Sequence, residues 1–315
     1  MNRINELIRD AREFGIGYGF KSGFSRAVHN NIMLEEAVYS ILKRENKKVL
    51  DEIGKGLPSN KVKSGNIVWT FWWQGMESLP EILKICYESH KTNIQCSEVD
   101  YRVVTKDNVD QYISIPSIIN QRLANGEMSF THFSDYLRVC ILEQYGGAWI
   151  DITLLVTQPI DLRIFDYTFY SINLGLPVSS SDGVGKIATQ TKWAGFMMCA
   201  STPQTELFVF LKRALTDYWT NHNYAINYFF MNVLIRIAYD SCASIRDDIN
   251  LVPLNNMNLY NLQPIINDKF DISKWTKLNT GTTFFKLTQK KQAYVKNDHG
   301  ECTYYGYLKE KYNAL

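Results

Sequence analysis

Hydrophobic spacing is clearest from Ser129 to Thr157, SFTHFSDYLRVCILEQYGGAWIDITLLVT. Phe133, Leu137, Cys140 and Ile141 recur at helical intervals, and the run stops at Gly146-Gly147. This predicts a helix capped by Ser129 or Thr131 and ended by Gly146 in a left-handed conformation, then a strand from Ala148 to Val156. The helix is apolar nearly all round and so is expected to be buried, yet Asp135 and Arg138 lie three residues apart on one face of it. Asp151 stands alone among Trp149, Ile150, Ile152 and Leu154 in the strand. Charges in such places are paired or used.

The pattern elsewhere is that of an α/β chain. Residues 1 to about 62 read as helical, with Leu34, Val38, Ile41, Leu42, Val49 and Ile53 marking one face of a helix broken near Gly54 and Gly56-Leu57-Pro58. NIVWTFWWQG (66–75) is β-branched and aromatic and reads as the first buried strand; at least one of Trp69, Trp72 and Trp73 must be core, because alternate residues face opposite sides. A helix over 78–96 and a strand over 101–109 follow, and strand, helix, strand predicts parallel pairing through a right-handed crossover. Residues 112–128 read as a short helix and loop, and LRIFDYTFYSINLG (162–175) as further strands. SSSDGVG (179–185) is loop-like, and acceptor choice is expected in loops such as 176–190. A strand then leads into a helix capped by Thr202 or Thr205 (193–215), and 227–241 is a buried helix carrying Asn232. The expected architecture is an open, mixed, mostly parallel sheet flanked by helices (63–315), preceded by a helical N-terminal region (1–62).

Composition narrows the function classes. A net charge of +2 without a basic stripe argues against a nucleic-acid partner. Six cysteines without C-x-x-C spacing suit a reducing cytosol, and no stretch is apolar enough to span a membrane, so a cytoplasmic protein is expected. Ile4, Leu7, Ile8 and Phe14, interleaved with Arg3, Arg9 and Arg12, either pack on the rest of the chain or lie on an anionic membrane surface. A P-loop and a G-x-G-x-x-G turn are both absent, which disfavours nucleotide hydrolases and dehydrogenases.

Two readings of the charged residues compete. In one, Asp135 and Arg138 are a structural ion pair and Asp151 ends a strand. In the other, Asp151 faces a divalent metal on a diphosphate, at the strand end where ligands collect in α/β sheets. Ser134, Asp135, Leu137 and Arg138 (S-D-x-L-R), then Gly146, Gly147, Trp149, Asp151 and Thr153 (G-G-x-W-x-D-x-T), resemble the core of glycosyltransferase family 32, and more narrowly its bacterial capsular polysaccharide synthesis proteins. The resemblance runs from about Asn66 to Pro203 and more faintly to the C-terminus, through TTFFKLTQKKQ (282–292).

That resemblance implies a GT-A type fold and a retaining transferase that moves a hexose or amino-hexose from a UDP-sugar to a capsular or O-antigen glycan, lipid-linked or free. It assigns an aromatic, matched best by Trp72, to the nucleotide base, and Asp135 and Arg138 to the donor sugar and phosphate. The candidate donor-binding set is Thr70, Trp72, Gln74, Asp135, Arg138, Gly147, Trp149 and Ile150. Mn2+ or Mg2+ is expected on Asp151, with Thr153 and His299 as weaker ligands; Thr153 stands where the wider superfamily commonly has the second acid of D-x-D. An acidic residue is common near Asn232 in the family, so Asn232 is a departure. Peripheral contact with the inner face of the cytoplasmic membrane is expected; the alternatives are a GDP-mannose donor, or a non-catalytic glycan-binding scaffold of the polysaccharide assembly complex.

Overall fold

The computed structural model describes residues 3–27, 31–56, 62–95, 98–175 and 193–312; Cys96, Leu57-Pro58 and the 179–185 loop lie outside them. The elements in chain order are α1 (Arg3–Phe14), α2 (Ile16–Ala27), α3 (Asn31–Glu45), α4 (Lys47–Ile53), β1 (Ile67–Phe71), α5 (Glu81–Asn93), β2 (Asp100–Val104), α6 (Ser117–Ala124), α7 (Phe130–Tyr145), β3 (Gly147–Ile150), β4 (Leu154–Val156), β5 (Tyr170–Asn173), β6 (Trp193–Ala200), α8 (Glu206–Asn221), α9 (Phe230–Ser241), α10 (Ala243–Asn250), α11 (Ile272–Asn279), β7 (Phe284–Lys286) and α12 (Tyr304–Lys311).

The main sheet has the order β2-β1-β3-β6-β5. β1 runs parallel to both β2 and β3, as the strand, helix, strand order predicted, and β6 and β5 extend the sheet antiparallel. β4 and β7 form a separate antiparallel pair. The single strand expected over Ala148–Val156 is therefore two. At Asp151 the chain turns, the Leu154 N–H donating to the Asp151 carbonyl at 2.9 Å, and Leu154–Val156 leaves the first sheet to pair with Phe284–Lys286. Most of 162–175 also departs from expectation: Leu162–Asp166 is a 3-10 turn, and only Tyr170–Asn173 pairs as a strand.

Side chains alternate on the sheet, so Trp69, Phe71 and Trp149 enter the core shared with Phe133, Leu137 and Ile141 of α7. Val68, Ala148 and Ile150 enter the core on the opposite face. Ser129 caps α7 as expected, accepting from the His132 N–H. Thr205 occupies the cap position of α8 without a side-chain bond, so burial of Leu207, Phe208, Phe210 and Leu211 organises that helix start.

The face read as one helix over Leu34–Ile53 is two helices. Asn46 separates α3 from α4, its buried amide donating to the Leu42 carbonyl at 2.8 Å. Val38, Leu42, Val49 and Ile53 nonetheless join the core of α7, α8 and α9. α1 and α2 fold back on each other at Gly15, with Ala11 against Gly19 and Leu7 against Gly23. Asp10 is buried between them and accepts from the Ser22 hydroxyl at 2.8 Å. Ile4, Ile8, Ile16, Phe20 and Phe24 remain exposed, Phe20 at 67%. Among the described residues no helix is long and apolar enough to cross a membrane.

Candidate active site

The site begins with backbone. Gly146 (φ 67°, ψ −153°) and Gly147 (φ 85°) adopt conformations that side chains resist, and a Cβ on Gly147 would drive into the Ile67 carbonyl. Gly146 ends α7 with positive φ as expected, but in the extended glycine region rather than the left-handed helical one. The Trp69 indole N–H donates to the Gly146 carbonyl at 3.1 Å, locking the turn. β3 then pairs with Trp69 opposite Trp149, which carries Asp151 to the level of the β1 end and, by alternation, to the α7 face. Both strands present their C-terminal ends there, where open α/β sheets bind ligands.

Arg138 is the hub. Its side chain is 4% exposed, and one terminal nitrogen lies 3.1 Å from Asp135 Oδ1 and 3.2 Å from Asp151 Oδ1. The other donates to the Gly195 carbonyl, and Nε donates to the Ser134 carbonyl at 3.3 Å. Trp149 lies under the guanidinium and donates its indole N–H to Asp151 Oδ1 at 2.8 Å. The opposite side of Asp151 faces β7: Lys286 Nζ donates to the Thr153 hydroxyl, lies 3.5 Å from Asp151 Oδ2 and sits 4.3 Å over the Phe196 ring. Asp151 is therefore held between two cations from different layers, one from α7 and one from β7.

Burial pushes the Asp135 carboxyl up to about 6, with Arg138 opposing the shift and Asp151 adding to it. Burial also lowers the Lys286 ammonium, against the pull of Asp151. Close by, His90 of α5 is buried and neutral: Nε2 bonds the Leu154 carbonyl at 2.7 Å, Nδ1 meets the Tyr101 hydroxyl at 3.0 Å, and burial depresses its pKa to about 4. His90 thus pins the chain where it enters β4.

The residues expected from sequence divide into two groups. Asp135, Arg138, Trp149, Asp151 and Thr153 come together. Trp72 lies just past β1, half-buried, with its indole N–H on Ser78 Oγ at 2.9 Å, and Gln74 is exposed in the following turn. The side chains of Thr70 and Ile150 are wholly buried on the sheet face opposite Asp151, and Gly147 opens β3 at its far end. His299 sits in an exposed turn, its N–H bonded to Asn297 Oδ1 at 3.0 Å. Asn232 is buried on α9; a Cβ on Gly195 would meet Met231 Cε at 2.6 Å, Asn232 Oδ1 at 3.4 Å and an Arg138 nitrogen at 3.8 Å. The asparagine thus lines the wall that receives Arg138. The sequence placed Lys286 within the family-like 282–292 stretch without a role, and gave no sign of Gly195. A lysine inside the apolar run FFKL was the available signal for the first.

The donor set does not fit a divalent ion held by the protein. Asp151 is the only carboxylate of its D-x-T pair, both its oxygens face cations, and Lys286 already holds the Thr153 hydroxyl. Among the described residues no three His, Cys, Asp or Glu side chains converge as a metal-holding group. What the arrangement offers is a buried guanidinium and ammonium for an anion, beside carboxylates that accept from hydroxyls.

The sequence matches the family described as capsular polysaccharide synthesis protein over residues 22–308. It is 25% identical over 101 residues to the O-glycosyltransferase PaGT of Phomopsis amygdali, which is 30% of this chain and 25% of that protein. The apo structure of the bifunctional glycosyltransferase WbbM is similar at TM-score 0.41 and 12% identity, over 82% of this chain and 51% of that one. The chain thus spans a quarter of the curated relative and about half of the solved one. With most of its length matched, the chain belongs to the capsular polysaccharide synthesis protein family.

Proposed function

We propose that the chain is a glycosyltransferase that moves a hexose or amino-hexose from a UDP-sugar to a growing capsular or O-antigen glycan, retaining the anomeric configuration. The observation that carries this reading is Asp151, half-buried between Arg138 and Lys286 at the C-terminal edge of β1 and β3. In such a transfer the bond from the anomeric carbon to the diphosphate breaks, and its electron pair leaves on the diphosphate. The acceptor hydroxyl oxygen bonds the same carbon on the face that the diphosphate leaves, and its proton passes to the departing diphosphate oxygen. Fixed cations where that charge develops supply the main stabilisation, because they are already oriented when the bond breaks. Arg138 presents two nitrogens locked by Ser134 and Gly195, and Asp135 and Asp151 accept from sugar hydroxyls. The half-buried Trp72 ring stacks on the base.

The acceptor is a saccharide, lipid-linked in this reading. The exposed Ile16, Phe20 and Phe24 of α2, with the exposed cations Arg12 and Lys21, suit peripheral contact with an anionic membrane face.

Release of nucleotide from a panel of UDP-sugars and GDP-mannose, with and without glycan acceptors, tests the reading. Turnover of a UDP-sugar that falls about 100-fold in Asp151→Asn is expected. Turnover confined to GDP-mannose would replace the donor, and unchanged turnover in Asp151→Asn would remove the site assignment.

A further inference from the structure

A divalent cation on a D-x-D pair combines two features: positive charge next to the leaving diphosphate, and a tether to the strand that carries the pair. At this site the second acidic position is Thr153, and the group seated between side chains 151 and 153 is the Lys286 ammonium. The charge balance is the same in both arrangements. A carboxylate plus a divalent ion carries one net positive charge, and a threonine plus an ammonium carries one as well.

The geometry also separates Lys286 from an ordinary structural ion pair. Its distance to Asp151 Oδ2 is 3.5 Å, beyond the 2.7–2.9 Å of a close charge-assisted bond, while its short contact is to the neutral Thr153 hydroxyl. An ammonium carries three donors, and these two contacts leave room for an anion. The Lys286 side chain keeps 17% of its surface open, and the Phe196 ring supports it from one side. β7 holds it rigidly: Lys286 pairs with Leu154, its N–H donates to the Leu259 carbonyl at 2.8 Å, and the following Leu287 N–H donates to the Thr153 carbonyl at 2.9 Å.

We propose that Lys286, with Arg138, receives the donor diphosphate in place of a divalent metal, so that nucleotide binding at this site needs no metal. This rests on the glycosyltransferase reading above.

Calorimetric titration of the full chain with UDP and with GDP, in manganese and then in chelator, tests both. One nucleotide is expected to bind with dissociation constants within threefold of each other in the two conditions. Lys286→Met should weaken that binding at least tenfold, and Lys286→Arg, which keeps the charge, should recover most of it. Binding in manganese that is lost in chelator would overturn the metal-free assignment while leaving the transferase reading intact. Absence of binding by either nucleotide in either condition would overturn the transferase reading, and this inference with it. The wild-type comparison decides the question even if Lys286→Met fails to fold. Lys286→Met paired with Thr153→Asp restores the acidic pair and should make UDP binding depend on manganese. Wild-type affinity of that double variant in chelator would remove Lys286 from the diphosphate site.

Discussion

The α7–β3 joint and the α1–α2 hairpin are both made of helix, glycine and a buried aspartate, and they are built to opposite ends. At the joint the Gly146 carbonyl is held by Trp69, and the charged groups are each fixed more than once: Arg138 by Ser134, Gly195, Asp135 and Asp151, and Asp151 by Arg138, Trp149 and Lys286. In the hairpin Leu7 and Ala11 form a thin seam against Gly23 and Gly19, Phe14 and Tyr18 enter the main core, and Ile16, Phe20 and Phe24 form an outer stripe left in solvent. Over-determination is what a buried charge requires to keep one geometry, whereas a surface hairpin tolerates substitution.

The sharpest way to break that contrast is Gly147→Ala. It combines a positive φ with a methyl group aimed at backbone, which cannot move aside, and should cost about 4 kcal/mol or more, read as lost soluble expression or a collapsed melting temperature. Wild-type-like melting would show that the joint is softer than described. Asp151→Ala comes next: it leaves two cations without their carboxylate and opens a void, and should destabilise by about 3 kcal/mol, while Asp151→Asn removes the same charge but fills the space and should destabilise less. Wild-type melting of both variants would mean that the charge cluster contributes nothing to the fold.

His90 gives a pH test. Its pKa is depressed in the folded chain, so the stability it contributes is present above its ordinary value near 6.5 and lost as pH falls through about 4. Between pH 7 and pH 4 the wild type should lose roughly 3 kcal/mol that His90→Gln does not, followed by denaturant unfolding. Parallel curves would place the acid-labile group elsewhere. The smallest stability effect belongs to the hairpin: Phe20→Ser with Phe24→Ser should shift stability by about 0.5 kcal/mol or less, while lowering sedimentation with anionic vesicles. A large loss of stability would mean that the outer stripe is core to the fold.

The same contrast governs what was legible in the sequence. The α7–β3 joint could be read because its constraints are local: a helical period, a glycine pair, and a strand of alternating faces. Asp135, Arg138 and Asp151, singled out on that pattern, meet in space. Lys286 lies 135 residues from Asp151 along the chain, and only the β4–β7 pairing brings them together, which no local pattern encodes. The division of Ala148–Val156 into two strands was hidden likewise, since apolar residues stand on both sides of Asp151 and Thr153 and only the choice of partner sheet divides them. Thr70 and Ile150 belong to the donor-binding set that the resemblance implies, and strand alternation puts their side chains on the face opposite Asp151.

Because β3 and β7 belong to different sheets, Arg138 and Lys286 stand on two layers joined at Asp151 by a short turn. An anion bound by both would act as a rivet between the layers. Its binding free energy would then count toward holding the molecule together, about 2.7 kcal/mol at a hundredfold excess over the dissociation constant. Such a chain would be most robust while that anion is plentiful.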